Sequence, residues 1–86
     1  MDKFEMDRGR YLETDFLISI GFVEIDSLMM EYEGLYGWVF RIHYEGYAFV
    51  LYKVYARELV PLQDFQYEKE FETFWDILIR KSESDH

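Results

Sequence analysis

The chain has 86 residues, half of them hydrophobic and 21% aromatic, with a formal net charge of −9 and no cysteine. That length fits one domain with a single core burying about 60% of the unfolded chain's surface, and the apolar content argues against intrinsic disorder. The missing cysteines exclude disulfides, thiolate chemistry and Cys-based zinc sites, while the charge disfavours direct binding to nucleic acid or anionic membrane.

Residues 1–10, "MDKFEMDRGR", are charged, are interrupted by Gly9 and read as a loose lead-in. Leu12, Phe16, Leu17 and Ile20 then recur at helical spacing, with Gly21 placed as a C-terminal cap, so a helix is predicted over 11–20. The tripeptide Tyr-Glu-Gly follows twice, at Tyr32-Glu33-Gly34 and Tyr44-Glu45-Gly46. Two-residue hairpin turns at 33–34 and 45–46, in which Gly supplies the positive φ, make a three-stranded meander. Glu is not the favoured first residue of such turns, so longer or bulged loops stay open. The assumed register sets Ile42 against Phe49 and Ile25, and Phe40 against Leu51 and Ser27, which gathers apolar residues on one face. On the other face Asp26 falls across from Arg41, and Glu24 across from His43.

"ARELVPL" carries the only proline, Pro61, and reads as a loop or a short edge strand. In "DFQYEKEFETFWDILIRK", Phe71, Phe74, Trp75 and Leu78 follow a helical period; acids lead and Arg80 and Lys81 close. A second helix is predicted over 67–81, followed by a polar tail. The expected fold is α+β, in the order α-β-β-β-α: a three-stranded antiparallel meander with an N-terminal and a C-terminal helix packed on one face. It forms a single domain over 1–86, with 1–10 and 82–86 loosely ordered.

No catalytic motif is present. His43 with Glu24, Asp26 and Arg41 can be drawn as an acid–base cluster, yet no nucleophile elbow or Gly-rich phosphate loop accompanies it, and a solvated cross-strand charge set explains it better. The protein is therefore read as not an enzyme. Without H-x-x-x-H spacing or a calcium loop, no metal and no cofactor are expected. No basic-then-apolar leader and no apolar run near 18 residues occurs, which reads as a soluble, cytoplasmic protein.

Two surfaces are candidates for binding a partner. Asp64, Glu68, Glu72 and Asp76 are spaced by four, which on a helix aligns them about 6 Å apart along one flank, and Glu70 adds charge on the other. Such a row can occupy a groove meant for phosphates; its plainer explanation is a solvated helix face. The second surface is the sheet face away from the helices, assigned Leu28, Met30, Tyr32, Val39, Val50, Tyr52 and Val54. It is too apolar to stay bare, and Tyr32, Val50 and Tyr52 are its candidate contact residues. The Phe4 and Met6 segment, the 56–66 loop, or a second copy in a homodimer would cover it.

With its "YEKEFETFWDIL" helix carrying Glu68, Glu70, Phe71 and Glu72, this small acidic chain resembles the phage-encoded inhibitors of bacterial defence nucleases, the anti-CRISPR proteins among them. Several of those act as mimics of DNA. The resemblance lies in size, charge and element order over most of the chain. It implies a non-catalytic inhibitor occupying the basic, nucleic-acid-binding surface of a protein partner, such as a defence nuclease. Fewer helix acids and more aromatics than in the most extreme DNA mimics shift weight toward ordinary protein–protein contact. The competing expectations are an immunity or antitoxin-like protein neutralising a cationic toxin, and an oligomeric accessory or structural protein associating through the open sheet face.

Overall fold

β-Branched and aromatic residues recur through the chain from Val23 to Phe65, and this stretch folds as one antiparallel sheet. Its strands are β1 (Val23–Asp26), β2 (Met29–Glu33), β3 (Val39–Tyr44), β4 (Phe49–Tyr55) and β5 (Glu58–Phe65), laid side by side in chain order. A short helix α1 (Thr14–Ser19) precedes the sheet and a long one, α2 (Glu68–Ser84), follows it. The structure, a computed structural model, describes residues 9–34 and 37–84, with the backbone alone for 82–84. Most of the expected lead-in, with Phe4 and Met6, and the end of the polar tail lie outside the described residues.

The α+β class stands, but the three-stranded meander does not: the sheet has five strands. Both additional turns lack the usual turn chemistry. At Ser27-Leu28 the chain reverses with Leu28 at φ +66°, held by the Ser27 amide donating to Asp26 Oδ1 at 2.7 Å. This splits the expected first strand into β1 and β2. At Ala56-Arg57 both residues are left-handed, at φ +51° and +71°. That is a two-residue hairpin of the kind that normally demands Asn-Gly. Pro61 is tolerated because β5 is an edge strand and Pro61 sits beside a bulge: Leu51 faces Gln63, Tyr52 faces Pro61, and Leu62 is left over.

The hairpin at 56–57 yields a direct test. Ala56→Asn with Arg57→Gly removes most of the steric cost of two left-handed side chains and is expected to stabilise the domain by about 1 kcal/mol. Thermal unfolding should show this as a rise in Tm of about 4–8 °C. A fall in Tm would mean that the turn is not left-handed.

The register also differs from the expected one, in two different ways. Between β3 and β4, Ile42 pairs with Leu51 and Tyr44 with Phe49, because the connection is the loop 45–48, closed by the Glu45 amide donating to the Ala48 carbonyl at 2.8 Å. This shift is by two residues and leaves every side chain on its expected face. Between β2 and β3, Met30 rather than Ile25 pairs with Ile42, and Tyr32 pairs with Phe40. A shift by five, an odd number, turns the strand over. Met30 and Tyr32 therefore face the core, and Glu31 rather than Asp26 lies across from Arg41.

The core is aromatic. Met30, Phe40, Ile42, Phe49, Leu51 and Phe65 line one face of the sheet, and Leu17 of α1 with Phe71 and Trp75 of α2 pack onto it. The Trp75 ring lies 4.9 Å from Tyr32, 5.1 Å from Phe22 and 5.2 Å from Phe40, which fastens α2 across β2 and β3. Helix α1 is shorter than predicted because residues 10–12 are extended and strapped to the start of α2. The Leu12 amide donates to the Gln66 carbonyl, the Glu68 amide donates to the Arg10 carbonyl, and the Tyr11 and Tyr67 rings stack at 5.0 Å. Among the described residues, no helix is long and apolar enough to cross a membrane.

Candidate functional site

The acidic row expected along the second helix is interrupted. Asp64 is not helical; it belongs to β5 and pairs with Val50 on the sheet. Glu68 is bridged to Arg10 at 3.3 Å and Asp76 to Arg80 at 3.0 Å. Both pairs leave at least one side chain well exposed, so each contributes under about 1 kcal/mol to stability, but each also cancels a charge. Glu70 and Glu72 remain without an ion pair among the described residues. Of the expected four-carboxylate flank, Glu68, Glu72 and Asp76 stand on α2 and Asp64 does not, and only Glu72 of the three is without an ion pair among the described residues.

The open sheet face keeps Val39, Val50, Tyr52 and Val54, all half-buried, and loses Met30 and Tyr32 to the core. Leu28 sits at the turn, well exposed. The pairing places Asp64 opposite Val50 and Arg41 opposite Tyr52, so three of the predicted contact residues, Val50, Tyr52 and Asp64, do share one face. Arg41 Nε donates to Glu31 Oε1 at 3.0 Å and His43 Nδ1 contacts Glu45 Oε2, while Asp64 has no ion pair among the described residues. His43 thus engages Glu45 rather than the expected Glu24 or Asp26, whose own strand β1 lies beyond β2.

A third surface was not legible in advance. Between the N-terminal end of α1 and the β1–β2 turn runs a groove of about 550 Å³. Leu12, Met29, Met30, Tyr44 and Phe49 contribute its apolar lining. Four acidic residues, Glu13, Asp15, Glu24 and Asp26, also line it, and among the described residues no Lys, Arg or His does. Glu13 and Asp15 border a second depression as well, on the side where Arg10 pairs with Glu68. Local structure explains part of the pattern: Asp15 suits the first turn of α1, and Asp26 holds the turn at 27–28. The missed signal is a charge run. From Tyr11 to Phe40 the chain carries six acids and not one base.

Chemically, the groove can attract and desolvate part of a cation, whereas it repels an anion. Among the described residues no group of three or more metal-ligating side chains converges. The four acids are therefore spread too widely for a single ion and suit an extended cationic group. No protein-family model, no curated protein and no solved structure matches this chain.

Proposed function

We propose that the protein is a non-catalytic acidic binding protein that inhibits a partner by occupying its basic, nucleic-acid-binding surface. The resemblance in size and charge makes a bacterial defence nuclease, met in the host cytoplasm, the partner of choice. The observation that carries this reading is the acidic run between Tyr11 and Phe40, six carboxylates without a base in the run, of which Glu31 alone is bridged among the described residues, in a chain of net charge −9. Such a field accelerates encounter with a basic surface and opposes encounter with nucleic acid. Support for imitation of phosphates along α2 is weaker, since Glu68 and Asp76 are paired and Asp64 stands on the sheet.

The test is DNA cleavage by a panel of purified RNA-guided nucleases, with the protein added before or after the target DNA. Inhibition is expected when the protein is added first, with protection by prebound DNA and loss at high salt. Cleavage unaffected throughout the panel, or inhibition indifferent to salt and to the order of addition, would remove this reading.

A further inference from the structure

We infer that the groove between α1 and the β1–β2 turn holds an arginine- or lysine-bearing segment of a protein partner, its cationic head among Glu13, Asp15, Glu24 and Asp26. This deepens the basic-partner reading by naming the contact surface and the chemistry that it takes. The groove's buried lining residues Leu12, Met30 and Phe49 are apolar and its four acids are exposed, which matches the build of a long basic side chain: an aliphatic stem that prefers apolar surface and a charged tip that prefers carboxylates. Its volume of about 550 Å³ lies in the ordinary range of ligand sites, several times the room that one ion needs. Met29 supplies an adaptable apolar surface, and Leu28, 61% exposed at the lip, offers a contact to an apolar neighbour of the basic residue. The complementarity is one-sided. The open sheet face carries Arg41, bridged to Glu31, whereas among the described residues no cation lines the groove.

The experiment uses the full chain with methionine methyl groups labelled in carbon-13, titrated with a capped arginine–leucine–arginine peptide. There are four methionines, of which Met29 and Met30 line the groove. Their two signals are expected to move together and saturably, and salt should reverse the shifts. Replacing both arginines of the peptide by citrulline, which keeps the shape and removes the charge, should abolish them. Glu24→Gln with Asp26→Asn should weaken the peptide about three- to tenfold, the loss of two exposed charge contacts. Glu70→Gln with Glu72→Gln on α2 should leave its affinity unchanged. The inference is overturned if the Met29 and Met30 signals stay still, if the citrulline peptide binds as well, or if the α2 pair weakens binding as much as the groove pair. Folding of each variant is checked by the dispersion of its amide spectrum. The titration contains no nuclease, so its outcome is separable from the reading above. Peptide binding without inhibition of any nuclease keeps the groove and removes the nuclease, and inhibition without peptide binding does the reverse.

Discussion

Phe71→Ala is expected to cost about 3–5 kcal/mol, a large share of the stability of a domain this small. Phe71 is fully buried, and its ring touches four others: Phe65 at 5.1 Å, Trp75 at 5.6 Å, Phe22 at 6.2 Å and Phe16 at 6.4 Å. Those partners come from β5, α2, the segment after α1, and α1 itself, so one side chain joins both helices to the sheet. Neighbours contributed by three separate elements cannot all collapse into the space left by the ring, which puts the cost at the upper end of the range for such truncations. Urea unfolding should show a large drop in midpoint with an unchanged slope. Ile77→Ala, on the same helix but 63% exposed, provides the comparison and should cost under about 0.5 kcal/mol. Similar shifts for the two variants would mean that α2 is not docked on the sheet as described.

The helix that Phe71 belongs to was legible in the sequence because four apolar residues repeat at a helical period and the charges follow the helix dipole. The apolar faces of β3 and β4 were legible for the same kind of reason: Phe40 and Ile42, and Phe49 and Leu51, alternate strictly. What could not be read was where the chain reverses without glycine. Ser27-Leu28 and Ala56-Arg57 carry no turn signature, so β1 and β2 looked like one strand, and β5 looked like a loop with a proline in it. The Tyr-Glu-Gly repeat is a real pair of loops, but each is longer than two residues. One added length was even and harmless. For β2 the combined shift was odd and exchanged its faces, carrying Tyr32 out of the candidate site and into contact with Trp75. Asp64 was misplaced because the acids of β5 and α2 happen to fall four apart across the strand–helix boundary. The groove escaped entirely: its carboxylates come from two pairs nine or more residues apart, and only the fold brings them to one place.

That exchange of faces makes a sharp prediction about two positions that a three-stranded register would treat alike. Met30 is 3% exposed and pairs with Ile42 in the core; Val50 is half-buried on the open face, opposite Asp64 and His43. Met30→Glu would place a carboxylate in the apolar core cluster against Ile42, so the side chain must either be protonated or force the core open. The expected cost is at least about 3–5 kcal/mol, enough to leave the protein largely unfolded. Val50→Glu keeps its head group in water beside a His and near an Asp, and should cost about 1 kcal/mol or less. Circular dichroism in the aromatic region separates the outcomes: Met30→Glu should lose the signal of the packed rings, and Val50→Glu should keep it. Equal behaviour of the two variants would return Met30 to the open face and undo the five-residue shift. The contrast also governs how binding data must be read. A partner or a second copy that leaves Val50→Glu reports on the open face, because that variant remains folded. A loss of binding in Met30 or Tyr32 variants would report only the loss of the core on which the groove and the open face both depend.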